Sequence, residues 1–224
     1  VAPEESCFMN WNKPFVQLET TRGCFNTCSF CVSGGEKPVR TLSIDAIRQR
    51  LQTIHRHGIQ NVRVLDRTFN FNPRRAKELL NLFLEFHPHI RFHLEIHPAL
   101  LSEELKSELQ KLPKGLLHLE AGIQSLREPV LEKCRRLGKL SDALEGLKFL
   151  CSLDNMETHA DLIAGLPLYR LNEIFEDILS LAEYQAGEIQ LESLKLLPGT
   201  EMRRRAEELG IRYSPLPPYE VLQT

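Results

Sequence analysis

The chain has 224 residues, 42% hydrophobic and 26% charged, with 28 Lys and Arg against 30 Asp and Glu. A chain of this size makes one large domain or two small ones and can bury a core. The net charge of −2 leaves no basic block beyond Arg203-Arg204-Arg205, which reads as a solvated helix face, so no nucleic acid partner is indicated.

In chain order, residues 1–14 read as a lead-in from an upstream domain, since the chain opens on Val1 and its first methionine is Met9. Phe15–Thr20 alternates like a strand, and a loop follows from about Arg22 to Lys37. Ser43 is a good N-cap for a helix carrying Ile44, Ile47, Leu51 and Ile54 on one stripe, ended by Gly58. Asn61–Asp66 reads as the second strand. Pro73 sits where a first-turn proline belongs and opens a second helix. Arg91–His97 is the third strand, Ser102 caps a third helix, and Leu116–Gln124 is the fourth strand. Helical stretches follow near Glu128–Arg136 and Ser141–Leu150. His159–Gly165 is the fifth strand, Asn172–Tyr184 a helix, Ile189–Leu196 the sixth strand and Glu201–Leu209 the last helix. The stretch Pro215-Leu216-Pro217-Pro218 marks 211–224 as an extended exit segment. No run reaches the ~18 apolar residues of a membrane span. The opening residues lack the charged n-region and apolar h-region expected of a signal peptide.

Strand–helix alternation of this kind predicts parallel strands joined by right-handed crossovers. Six units are too few for a closed eight-unit barrel, which leaves an open doubly wound sheet or a six-unit partial barrel. Strand side chains alternate between faces. His93, Glu95 and His97 share one face of the third strand. His118, Glu120, Gly122 and Gln124 share one face of the fourth, His159 and Asp161 lie on the fifth, and Gln190 and Glu192 on the sixth. A parallel sheet covered on both sides would be apolar on both faces, and a packed barrel would be filled with aliphatic side chains. The polar face therefore predicts an α/β (βα)6 partial TIM-like barrel over residues 15–210 whose inner face lines a wet cavity.

Six cysteines are present: Cys7, Cys24, Cys28, Cys31, Cys134 and Cys151. Disulfide frameworks belong to short secreted chains, and this sequence reads as a cytoplasmic enzyme, so thiolate ligation is expected instead. Cys24, Cys28 and Cys31 form C-x3-C-x2-C just after the first strand, at the end where ligand sites gather in α/β folds. Three thiolates on one loop can wrap an iron–sulfur cluster. Ferredoxin cubanes use four, and no fourth cysteine follows closely, so one iron would stay open. A zinc site completed by His93 or His97 is the competing reading. Cys134 and Cys151 read as buried apolar residues, and Cys7 is given no role.

With Phe30 just before its last cysteine, this motif resembles that of the radical S-adenosylmethionine (SAM) enzymes. The resemblance extends from about Phe15 to Thr200. It implies a partial barrel, a [4Fe–4S] cluster on Cys24, Cys28 and Cys31, and SAM held on the open iron. One electron would then cleave SAM to methionine and a 5′-deoxyadenosyl radical that takes hydrogen from a substrate. An electron donor such as a flavodoxin or ferredoxin is implied, as is oxygen sensitivity suited to anaerobic work.

Several positions are similar to SAM contacts of the oxygen-independent coproporphyrinogen oxidases: Glu95, Gln124 in Gly122-Ile123-Gln124, Arg136 twelve residues on, and Asp161 in Asp161-Leu162-Ile163-Ala164-Gly165-Leu166-Pro167. Arg135 is the alternative to Arg136. Glu95 has a second reading as an internal ion-pair partner, and Asp161 as a backbone cap. Phe30 joins the SAM set, with Asp66 or Thr68 taking the place of a glutamate that binds the SAM amino group in many relatives. Gly34-Gly35-Glu36 reads as a turn of the cluster loop. The histidines His93, His97, His118 and His159 either line a substrate cavity or are satisfied inside the barrel.

Asp66-Arg67-Thr68-Phe69-Asn70, Leu197-Pro198-Gly199-Thr200 and Pro217-Pro218-Tyr219-Glu220 most resemble the catalytic core of radical SAM proteins with an upstream cobalamin-binding domain. Cobalamin is thus implied by resemblance only, because the D-x-H-x-x-G loop of such domains is absent from the sequence. The expected function is a radical SAM enzyme core acting on a small-molecule or unknown substrate, with cobalamin in the whole protein. The rivals are a coproporphyrinogen-oxidase-like oxidoreductase and a non-catalytic zinc- or cluster-binding module.

Overall fold

The computed structural model describes residues 10–224, so Cys7 and most of the 1–14 lead-in lie outside the described residues. The chain forms β1 (Val16–Leu18), β2 (Thr21–Arg22), β3 (Arg40–Thr41), α1 (Ile44–Arg56), β4 (Asn61–Val64), α2 (Pro73–Leu84), β5 (Arg91–Ile96) and α3 (Glu103–Lys111). It continues through β6 (Leu117–Gln124), α4 (Glu128–Lys133), α5 (Leu140–Cys151), β7 (Glu157–Ala164), α6 (Leu171–Ala182), β8 (Glu188–Ser193), α7 (Glu201–Arg204), β9 (Arg212–Tyr213) and β10 (Val221–Gln223). Six strands make one parallel sheet in the order β1-β4-β5-β6-β7-β8. β1 and β8 do not pair, so the sheet is an open, partial barrel.

The caps follow the sequence. The Ser43 and Ser102 side chains accept from Ala46 N and Leu105 N, each at 3.2 Å, and Pro73 opens α2 where its missing N–H costs nothing. One face of each strand is aliphatic: Phe92, Leu94 and Ile96 on β5 and Leu117, Leu119, Ala121 and Ile123 on β6 are all buried. They pack on Ile47 and Leu51 of α1, Leu79 and Phe83 of α2, Leu105 of α3 and Leu147 of α5. All the helices of this core thus cover one side, and the polar side is left to face inward.

Strand ends depart from the alternation for identifiable reasons. β1 stops at Leu18, not Thr20, because the backbone N–H groups of Thr20 and Thr21 turn to the Asp66 carboxylate at 2.8 Å each. β5 stops before His97 because His97 N donates to Asn70 Oδ1 at 2.9 Å. The last helix is short: beyond Arg204 the chain continues in turns, with Ile211 N donating to Ala206 O. The Pro-rich tail does not run off as an extended exit. It is the loop of an antiparallel hairpin, β9 with β10, and Leu196 N donates to Tyr219 O at 2.8 Å. A second core, including Val130, Cys134, Leu166, Leu194 and Met202, sits beneath this region, with Phe30 packed against it.

Candidate active site

At the carboxyl ends of the strands lies a cavity of about 260 Å³. Its lining includes all three cysteines of the C-x3-C-x2-C motif together with Phe30, Thr68, Glu95, Gln124, Arg136 and Asp161. Residues from the cluster loop, β5, β6, β7 and the turn after α4, far apart in sequence, thus converge on one space.

The cysteine loop is tightly folded. Cys24 N donates to Glu36 O and Gly35 N to Asn26 O, which closes the loop on Gly34-Gly35-Glu36. A Cβ on Gly34 would stand 2.3 Å from the Cys28 carbonyl oxygen, so only glycine fits there. Ser29 ties the loop to two other elements: its N–H donates to Cys134 O, and its carbonyl accepts from Met202 N. Cys24 and Cys28 are buried and Cys31 half-buried, and none is in a disulfide. Burial pushes the Cys28 thiol up, and the Arg136 guanidinium pulls it back. The donor set fits a four-iron cluster with one open corner: three sulfurs face the cavity, with no fourth cysteine and no histidine among its lining residues. His93 and His97, the ligands a zinc reading requires, do not line it. Cys134 is fully buried and also apart from the lining.

Gln124 reaches the cavity in a way that simple alternation does not describe. The register shifts between Gly122 and Gln124, and Gln124 adopts φ 72°. Its amide folds back over Gly122, where an added Cβ would meet Gln124 Nε2 at 2.6 Å. Arg136 shares that space, with Nη2 donating to the Gly122 carbonyl and Nη1 3.9 Å from the Cys28 sulfur. Arg135 turns away, at φ 58°, into an ion pair with Glu201 at 2.5 Å. Of the two arginines, Arg136 is the one at the cavity.

The turn that carries Gln124 is held from behind by Asp177 of α6, which is 1% exposed. Its carboxylate accepts from Leu126 N at 2.7 Å, Arg127 Nε at 2.9 Å and Tyr169 Oη at 2.6 Å.

Asp66 requires a correction. It is buried and absent from the cavity lining, and its carboxylate accepts from Thr20 N, Thr21 N and the Thr20 hydroxyl. It joins β1 to β4, with both oxygens engaged on that side and away from the cavity. Thr68 remains at the cavity, its hydroxyl 3.9 Å from the Cys24 sulfur.

Sequence reasoning passed over Arg67, which lines the cavity and stands 3.6 Å from Glu95. Glu95 is therefore both an ion-pair partner and a cavity residue. Glu120, Gln190 and Glu192 line it too; the period-two pattern had placed all three on the polar face. Burial, and then the Glu120 charge, push Glu95 up to about 7, with Arg67 opposing. Asp161 is pushed up to about 9 by burial and by the Glu120 charge. Burial also works against the Glu120 charge, but the hydrogen bond with His93 helps to hold it below the usual carboxylate range. None of the four candidate histidines lines this cavity. His97 Nε2 meets the Leu137 carbonyl at 3.0 Å, and His93 and His118 line a second cavity at the amino-terminal ends of the strands.

Residues 18–181 match the model of the Radical SAM superfamily. Among curated proteins, the chain is 24% identical over 207 residues to the cobalamin-dependent radical SAM methyltransferase TokK of Streptomyces tokunonensis, covering 88% of this chain and 30% of TokK. It is 23% identical over 210 residues to the tRNA-2-methylthio-N(6)-dimethylallyladenosine synthase of Herpetosiphon aurantiacus, covering 86% of this chain and 46% of that protein. The chain thus spans less than half the length of either. Among solved structures, the radical SAM methyltransferase TsrM of Kitasatospora setae, with cobalamin and a [4Fe–4S] cluster bound, superposes with a TM-score of 0.75 at 19% identity, over 93% of this chain and 44% of TsrM. That likeness carries the fold. No helix among the described residues is long and apolar enough to cross a membrane. The superfamily's enzymes bind a [4Fe–4S] cluster and SAM, and on the match over 18–181 this chain belongs to the Radical SAM superfamily.

Proposed function

We propose that residues 15–210 form the catalytic core of a radical SAM enzyme in which Cys24, Cys28 and Cys31 hold the cluster and the adjoining cavity holds SAM. The convergence of these three sulfurs with Glu95, Gln124, Arg136 and Asp161 on one cavity carries the reading. When bound, the cluster supplies the electron that cleaves SAM to methionine and a 5′-deoxyadenosyl radical. The protein's share is to bind and orient. Arg136 offers a planar fork suited to the SAM carboxylate. Glu95 and Asp161 suit ribose hydroxyls, the Gln124 amide can accept or donate, and Phe30 gives an apolar wall. Thr68 replaces Asp66 as the candidate for the SAM amino group. Arg67, 3.6 Å from Glu95, sets a positive charge beside that carboxylate.

For the whole protein we favour methyl transfer with cobalamin, which the names of TokK and TsrM suggest; cobalamin would then be held outside residues 15–210. A flavodoxin- or ferredoxin-like protein would supply the electron. The substrate is unassigned.

The test is turnover without substrate. Anaerobically reconstituted protein, given dithionite and SAM, is expected to release 5′-deoxyadenosine and methionine in equal amounts. Cys28→Ala is expected to release neither. Equal release from both proteins would sink the reading.

A further inference from the structure

Strand register sorts the polar face into three rows. His93 of β5 lies beside His118 of β6 and Glu157 of β7; Glu95 lies beside Glu120 and His159; and Gly122 lies beside Asp161 and Gln190. Glu95, Glu120, Asp161 and Gln190 line the cavity that adjoins the cysteines. His93 and His118 line a second cavity of about 200 Å³ at the opposite, amino-terminal ends of the strands, together with Arg63 and Arg91. Between the two lies His159, whose side chain is only 6% exposed, against 26% for His118.

The hydrogen bonds through these rows run one way. Arg91 Nη2 can only donate, and it stands 3.3 Å from His118 Nδ1, which must accept. The His118 proton is then on Nε2, 2.7 Å from His159 Nδ1, which must accept in turn. The His159 proton is therefore on Nε2, facing Asp161 Oδ1 at 3.4 Å and Glu120 Oε2 at 3.7 Å. His159 Nε2 and Asp161 Oδ1 are both buried and neither makes a hydrogen bond, so they face each other across 3.4 Å as two unpartnered polar atoms. Because Nε2 carries the proton, His159 does not suit a metal ligand in this arrangement, although Glu120, His159 and Asp161 come together at metal-like spacing.

We propose that His118 and His159 form a proton relay joining the amino-terminal cavity to Glu120 and Asp161 in the active cavity. When the carboxyl pair gives up a proton to the active cavity, His159 Nε2–H replaces it, breaking that N–H bond as the carboxyl O–H forms. His159 Nδ1 takes the proton of His118 Nε2, and His118 Nδ1 takes one from a hydronium ion or buffer acid that reaches the amino-terminal cavity, leaving water or the buffer base behind. Both imidazoles end neutral with their tautomers exchanged, and no electron moves. From the exchanged tautomers the same steps reverse and drain a proton released by a substrate, restoring both Nε2–H forms. Burial, and then the neighbouring histidines, hold His118 down to about 4, and burial lowers His159 too, so both stay neutral and able to hand a proton on. The titratable and charged groups facing the relay are Arg91 and His93 on β5, Glu120 on β6, Glu157 and Asp161 on β7 and Glu188 on β8. With this route, radical chemistry that changes a substrate's protonation needs no water in the SAM cavity itself.

The relay matters where SAM closes the active cavity, so it rests on the SAM reading, and SAM binding is measured alongside. Reconstituted, SAM-bound protein is mixed into D2O and the carboxylic C=O stretch followed in time by infrared spectroscopy, with Asp161→Asn identifying the band. His118→Ala is expected to bind SAM yet slow the isotope shift on the order of a hundredfold, and added imidazole is expected to restore the rate. A wild-type rate in SAM-bound His118→Ala, or a slow rate that imidazole leaves unchanged, overturns the relay while leaving the SAM reading intact. If SAM does not bind, that reading fails by itself, and nitrogen-15 spectra of the SAM-free protein still test the relay. Protons on Nε2 of both His118 and His159 support it; a proton on His159 Nδ1 overturns it.

Discussion

The guanidinium of Arg136 stands 3.9 Å from the Cys28 sulfur while donating to the carbonyl of Gly122. One side chain thus links the cysteine loop to the end of β6, where Gln124 turns into the cavity. A ligand bound between them meets a positive charge already anchored at its other end.

Arg136→Ala is therefore expected to weaken SAM binding by about 1.5–3 kcal/mol, the worth of a hydrogen bond to a charged group. Arg135→Ala is expected to leave it within twofold, because Arg135 is spent on Glu201. Equilibrium dialysis with the reconstituted proteins separates the two. Equal losses would reopen the choice between the arginines.

Asp177→Ala removes the acceptor for Leu126 N and Tyr169 Oη, both left facing a buried space. A loss of about 1–3 kcal/mol in denaturant unfolding is expected. SAM affinity of the folded fraction is expected to fall too, since the turn beside Gln124 loses its support. Unchanged affinity would make Asp177 a stability residue alone.

Asp66→Ala is expected to cost stability on the same scale, about 1–3 kcal/mol, and yet to leave the SAM dissociation constant of the folded fraction unchanged. The carboxylate serves Thr20 and Thr21 and not the cavity. A selective loss of SAM binding at full stability would restore Asp66 to the site.

This residue also shows where the sequence was silent. Asp66 resembled a ligand by position, because its partners are backbone N–H groups 45 and 46 residues away, which no spacing reveals. Glu95 and Asp161 were legible because a charged side chain on a strand with one aliphatic face can point only inward. The cysteines were legible as a local motif. Arg67 was missed because it lies in a loop, where no period marks direction. Gln124 was correctly placed at the cavity on a face argument that the register shift and its positive φ do not obey. The hairpin of β9 and β10 was hidden because prolines in its loop read as an unstructured exit.

Asp161 has a pH signature. Its pKa rises from an ordinary 3.8 to about 9 on folding. Between those values the folded chain holds a proton that the unfolded chain has lost, so this group's stabilisation falls as pH rises through the window. The slope cannot exceed about 1.4 kcal/mol per pH unit. Between pH 7 and 9 cofactor-free protein is expected to lose stability, and Asp161→Asn to lose less. Parallel curves for the two proteins in denaturant titrations would show that Asp161 ionises at an ordinary pH.

The most direct measurement of the central claim is the electron paramagnetic resonance spectrum of the chain, reconstituted anaerobically with iron and sulfide and then reduced, recorded with and without SAM. A reduced [4Fe–4S] signal that changes when SAM is added and is absent in Cys28→Ala is expected. A protein that takes up one zinc, forms no cluster and shows no response to SAM would contradict it.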